Sequence, residues 1–130
     1  MSESQPRSLE VKCICHGSAP IPMGAPVGNR IYSSGIMGKD PATDQLPTDV
    51  ALQANFAFQN MVSLLAAGGA TPDHVAKMTI FIKDESAHGA IKKEWRKLYP
   101  DSHDLPARHT LTYGLGGSML LQPEVEAVIT

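Results

Sequence analysis

The chain has 130 residues, 42% of them hydrophobic and 18% charged, which suits one globular domain spanning 1–130 that can bury a core without disulfides or metal. Eleven basic against thirteen acidic residues leave a net charge of -2, and this argues against an electrostatic nucleic-acid binder and against a membrane-surface protein. Aromatic residues make up only 5%, too few for a base-stacking platform.

The first eight residues are polar with a single Arg, so neither secretion nor membrane insertion is expected and the chain reads as cytoplasmic. Residues 9–16 alternate and predict a short strand carrying Cys13 and Cys15 on one side as reduced thiols. One residue of separation does not make a good structural disulfide. Even with His16 the two thiols fall short of the four ligands of structural zinc, so no metal site is expected. Residues 17–28 hold three prolines and three glycines and read as an extended loop. Residues 30–35 (R-I-Y-S-S-G) predict a strand, and 36–39 continue into another after a kink at Gly35. The turn formers of 40–47 (D-P-A-T-D-Q-L-P) then end that hairpin.

Thr48 fits a helix N-cap, with Asp49 favourably placed in the first turn. Val50, Ala54, Ala57, Met61, Leu64 and Leu65 recur at helical spacing, and Gly68-Gly69 closes the helix. Thr71-Pro72 opens a single turn. Residues 75–83 follow as a strand with Ala76, Met78, Ile80 and Ile82 on one face and Lys77, Thr79, Phe81 and Lys83 on the other. Asp84 or Ser86 caps a second helix whose buried stripe is Ala87, Ile91, Trp95 and Leu98, stopped by Pro100. Residues 108–113 and 119–130 read as two final strands joined by a glycine-rich turn.

Two helices covering one face of a mixed sheet make a two-layer α+β domain. The other face would carry Phe81 and Val128 beside Thr79 and Glu126, too apolar to stay bare, and that predicts self-association.

Few residues offer chemistry on their own. Glycine-rich 114–118 is followed by a strand and lacks a Lys-Ser/Thr pair, so it is a hairpin turn rather than a phosphate cradle. The histidines are scattered; His103 lies in a Pro-bounded polar loop that fits solvated surface, while His109 adjoins the more interesting segment 105–110. No nucleophile elbow is present. Taken singly, Arg108 fits a surface arginine as well as an anion anchor. Glu124 and Glu126 share one face of the last strand and fit carboxylates facing water unless a partner or ligand uses them.

In order and at their spacing, several segments together resemble the RidA (YjgF) family of imine deaminases: G-N-R-I-Y-S-S-G (28–35), the helix with Gln53, A-A-G-G-A-T-P-D-H-V (66–75), K-M-T-I-F-I-K-D (77–84), P-A-R (106–108) and E-V-E-A-V (124–128). The resemblance covers roughly 19–129. It implies a homotrimer of chorismate-mutase-like subunits with sites in the clefts between them. It also implies hydrolysis of 2-enamine/2-imine acids such as 2-aminoacrylate to 2-keto acids and ammonia, without a cofactor. By the same resemblance Arg108 binds the substrate carboxylate, Glu124 holds the attacking water, the Thr110 backbone helps orient the substrate, and Ser34 and Gly35 line the opposite wall. The alternatives are a deaminase of a larger amino-dienoate, 2-aminomuconate-like, and a trimer that binds small carboxylates or partner proteins without turnover. A ribonuclease, a label also used in the family, gains nothing from a net charge of -2.

The chain departs from the family pattern in four places. The loop tyrosine before the first hairpin is missing, with Ile21 or its neighbours in its place, and Lys92 stands where an asparagine is frequent in the second helix. The interval from Arg108 to Glu124 is about one residue longer, and Pro123 interrupts the last strand, which predicts a bulge in the final hairpin.

Overall fold

The computed structural model describes residues 8–10 and 20–130. The strand expected over 9–16, with Cys13 and Cys15, lies almost wholly outside the described residues; Leu9 forms an isolated antiparallel bridge to Gly24. Five strands form one sheet. They are β1 (Gly24–Val27), β2 (Arg30–Ser33), β3 (Val75–Ile82), β4 (Ala107–Thr112) and β5 (Leu121–Val128), in the order β1-β2-β5-β3-β4. All pairings are antiparallel except β3 with β4, which is parallel. Helices α1 (Val50–Ala67) and α2 (His88–Leu98) cover one face. This is the expected two-layer α+β arrangement with a mixed sheet.

β1 falls inside the segment expected to be a loop. The Gly28-Asn29 dipeptide between two β-prone runs is a two-residue hairpin signal that outweighs the prolines. Pro26 is tolerated because β1 is an edge strand. Conversely, residues 36–39 are not a strand. The Asn60 side chain on α1 donates to the Met37 carbonyl at 3.0 Å and to the Lys39 carbonyl at 2.9 Å, so a helix side chain serves this segment instead of a neighbouring strand. The close passage needs Gly38, where a Cβ would run into the Gln53 carbonyl oxygen and lie 2.8 Å from its carbon. Helix backbone cannot yield as a side chain can. Gly38→Ala is therefore expected to cost about 1–3 kcal/mol, read as a lower Tm, while an alanine at exposed Gly89, with open space around its Cβ position, leaves Tm nearly unchanged.

Helix α1 begins one residue later than Thr48 suggested, because the Asp49 carboxylate accepts from the Leu52 N–H at 3.1 Å and caps it. Its expected apolar stripe is buried from Ala54 to Leu65, with Val50 half-buried, and is joined by Phe58, Gln53 and Asn60. Asp84 caps a 3-10 turn, Glu85–Ala87, that leads into α2; the Ser86 hydroxyl and N–H donate to its carboxylate and lower its pKa. In β3 a bulge between Val75 and Lys77 turns Val75 inward and leaves Ala76 exposed, which shifts the expected alternation at its first residues.

The final two strands are not a hairpin. β5 inserts between β2 and β3, and β4 lies on the far side of β3, so the 114–118 segment is a crossing connection. Its end is tied down by Gln53, which is fully buried: Nε2 donates to the Pro47 carbonyl at 2.7 Å and the Ser118 carbonyl at 3.0 Å, and Oε1 accepts from the Leu120 N–H at 2.9 Å. Pro123 is accommodated although β5 is a central strand. Its carbonyl accepts from the Ile36 N–H at 2.8 Å, so its nitrogen faces the segment leaving β2, where no ladder hydrogen bond is needed.

Behind α2, the buried Tyr99 hydroxyl donates to the Pro72 carbonyl at 3.0 Å. Burial, helped by the charge of Asp73, raises its pKa from 10.0 to about 12. The phenol keeps its proton longer folded than unfolded, so its contribution is whole below pH 10 and is lost as pH rises towards 12. Stability is expected to fall across that window by on the order of 2 kcal/mol more in the wild type than in Tyr99→Phe, as urea midpoints at pH 9.5 and 11.5 would show.

Candidate functional site

Sheet register decides where each candidate residue points. Arg108 pairs with Met78 and Thr110 with Ile80, both inward-facing residues of β3, so the Arg108 and Thr110 side chains leave the sheet on the helix side. Arg108 reaches α2, with its Cζ 4.6 Å from the centroid of the Trp95 ring. The Tyr113 N–H donates to the Ile82 carbonyl at 2.9 Å. Alternation along β4 therefore turns the Thr110 N–H and carbonyl away from β3, onto the open edge of the sheet. Arg108 and Thr110 stand two residues apart on the same edge strand.

Glu124 pairs with Thr79, an outward residue, so its carboxylate leaves the sheet on the uncovered face. The 33–36 segment runs beside it: Ser33 Oγ accepts from the Val125 N–H at 2.7 Å and the Ile36 N–H binds the Pro123 carbonyl. Ser34 and Gly35 lie between these two contacts with β5, and the Ser34 N–H donates to the Met23 carbonyl at 2.9 Å. A Cβ at Gly35 would lie 2.6 Å from Gln122 Nε2, which shows how closely this wall packs. Tyr32, Ser33, Thr79, Glu124, Val125 and Glu126 line a recess of about 210 Å³ on this face.

The expected residues thus fall into two groups. Arg108 and Thr110 make one, and Glu124, Ser34 and Gly35 make the other. β3 lies between β4 and β5, a separation of about 10 Å, and the two key side chains leave opposite faces. The recess lined by Glu124 does not include Arg108. This separation could not be read from the sequence, because strand order is a long-range property. Neither residue enters an ion pair among the described residues, where the pairs are Lys39–Asp44, Glu85–His88 and Glu94–Lys97.

Other candidates lie as follows. His103 is exposed in its loop, with its N–H donating to Asp101 Oδ1 at 2.9 Å. His109 is on the uncovered face beside Thr79, and Lys92 is exposed on α2. Among the described residues no group of three or more His, Cys, Asp or Glu could hold a metal ion, and no helix is long and apolar enough to cross a membrane. Trp95 was legible only as a core residue of α2. Its contact with Arg108 bridges a turn and a loop that spacing does not measure.

Residues 22–127 match the sequence profile of the family described as Endoribonuclease L-PSP. A RutC family protein of Haemophilus influenzae is 28% identical over 91 residues, 68% of this chain and 70% of that protein. The 2-iminobutanoate/2-iminopropanoate deaminase of Escherichia coli is 29% identical over 90 residues, again 68% of this chain and 70% of that enzyme. The crystal structure of the Escherichia coli YjgF gene product superposes with a TM-score of 0.85 at 24% identity, covering 96% of this chain and 100% of that one. The profile spans most of the chain and the fold agrees with it over nearly all of its length: the chain belongs to the Endoribonuclease L-PSP family, the RidA (YjgF) family that its motifs resemble.

Proposed function

We propose that the protein is a hydrolytic deaminase of 2-enamine/2-imine carboxylic acids, 2-aminoacrylate-type, with each site completed by two subunits of a homotrimer. The observation that carries this reading is the placement of the two groups: a guanidinium with no ion pair among the described residues and edge backbone on one strand, and a carboxylate in a recess on the opposite face. A second copy of the chain is the simplest source of the missing half. The half-apolar uncovered face, with Phe81 against Tyr113 at 5.9 Å between ring centroids, gives copies a reason to meet.

The chemistry fits these groups. Arg108 grips the substrate carboxylate with two parallel charge-assisted hydrogen bonds, and the Thr110 backbone aligns it. The imine carbon is already electrophilic, so no covalent nucleophile is needed. A water held by Glu124 attacks that carbon. The C–O bond forms, and the C=N electron pair moves onto nitrogen, which takes a proton. Glu124 takes one proton from the water and supplies it to that nitrogen, then takes the hydroxyl proton of the carbinolamine and passes it to the amino group as the C=O bond forms. The C–N bond then breaks, and a keto acid and ammonia leave. No cofactor enters this sequence. The substrate is a small molecule, and no nucleic-acid or membrane partner is invoked.

The test generates 2-imino acids in the presence of the protein with an amino-acid oxidase and follows keto-acid release. Acceleration over the spontaneous rate, lost in Arg108→Ala, supports the reading. No acceleration across a panel that includes larger amino-dienoates, with keto acids still bound, would replace it with a binding module.

A further inference from the structure

We infer that Trp95 is a positioning residue for the carboxylate-binding guanidinium: its indole is a fixed platform that holds the Arg108 fork in its binding orientation. The inference rests on the proposed role of Arg108 and adds a residue that neither its motif nor its strand supplies.

Arg108 sits on β4, an edge strand, and is exposed. A long side chain there samples many rotamers, and ordering them costs affinity when a ligand arrives. No carboxylate among the described residues holds it in an ion pair. What it has is the Trp95 ring, 4.6 Å from Cζ, within the range in which a guanidinium over an aromatic face is attracted to it. Such stacking leaves the N–H fork in the guanidinium plane free for a carboxylate.

The platform is itself rigid. Trp95 is 9% exposed and belongs to the stripe with which α2 packs on the core. Its ring lies 4.9 Å from that of Tyr99, whose hydroxyl is anchored on the Pro72 carbonyl. The order therefore runs from the Pro72 backbone through two aromatic rings to a cation that has no ion pair among the described residues. A merely structural Trp95 would need none of this alignment with Arg108.

The test measures keto-acid affinity with pyruvate and 2-oxobutanoate by calorimetry, together with KM and kcat for imine hydrolysis. Trp95→Leu is expected to weaken binding and raise KM by roughly three- to tenfold, with a smaller change in kcat. Trp95→Tyr or Trp95→Phe recovers most of the loss. Ile91→Val, a core change on the same helix, leaves KM unchanged. In an Arg108→Ala background Trp95→Leu adds nothing, because the two act as one unit. Wild-type KM in Trp95→Leu, with binding abolished in Arg108→Ala, overturns this inference and leaves the deaminase reading standing. Undiminished binding in Arg108→Ala overturns both.

If Trp95→Leu does not fold, the single tryptophan of the chain supplies a second readout. Arg108→Ala, without ligand, is expected to change the tryptophan emission and near-ultraviolet circular dichroism of a folded protein. Unchanged spectra would mean that the ring and the guanidinium do not meet in solution, and would overturn the inference.

Discussion

Arg108→Ala is expected to lower kcat/KM for 2-imino acids by about 10²- to 10³-fold, the loss of two charge-assisted hydrogen bonds at roughly 1.5–3 kcal/mol each, partly replaced by water. Arg108→Lys keeps the charge but loses the fork and is expected to fall in between, at about 10- to 100-fold. Fold stability barely changes in either, because Arg108 is exposed on an edge strand and enters no ion pair among the described residues. Glu124→Gln gives a different signature. It preserves size and hydrogen bonding but removes the base, so kcat falls while keto-acid affinity holds. Equal losses of affinity in both variants would show that Glu124 acts by binding alone. Wild-type kcat/KM in Arg108→Ala would remove the arginine from the site.

The largest effect on stability is expected at Gln53. The side chain is fully buried and satisfies three backbone groups: the Pro47 carbonyl before α1, the Ser118 carbonyl in the crossing connection, and the Leu120 N–H at the entry to β5. Gln53→Ala leaves all three without their partner and opens a cavity, a cost of about 3–4 kcal/mol. That is a large share of the roughly 5–15 kcal/mol available to a domain of this size. Gln53→Glu is no rescue, since it sets a carboxylate oxygen against two carbonyls in a buried site. Urea unfolding of Gln53→Ala, Gln53→Glu and wild type tests this, and a loss below about 1 kcal/mol in Gln53→Ala would mean that water or a rearranged loop replaces the amide. The consequence reaches the site as well. Leu120 leads directly into β5, so loosening the anchor blurs the register that sets Glu124 opposite Thr79.

The local features were largely legible. The α1 stripe from Ala54 to Leu65, the inward residues of β3 beyond its bulge, and the turn at Pro72 follow from periodicity and turn chemistry. The misses share a physical cause. β1 hid behind proline and glycine content, although its Gly28-Asn29 turn was a positive signal. Residues 36–39 are β-prone, yet the Asn60 side chain on α1 takes over their backbone. The last two strands look like a hairpin along the chain and are separated by β3 in space. The same long-range pairing separates the proposed site residues. Arg108 and Glu124 were identified by their motifs, whereas the faces they occupy depend on which strand lies next to which. The motifs named both residues, and the sheet sets them on opposite faces of the chain.

Mixing two inactive variants tests that assignment most directly. Arg108→Ala and Glu124→Gln chains, each purified, are unfolded together, refolded into shared assemblies and assayed on 2-imino acids. If each site takes Arg108 from one subunit and Glu124 from its neighbour, an equal mixture regains about a quarter of wild-type activity, because one site in four receives both intact residues in a ring of identical contacts. If a single chain supplied both residues, every site in the mixture would still lack one of them, and the activity would stay at the level of the separate variants.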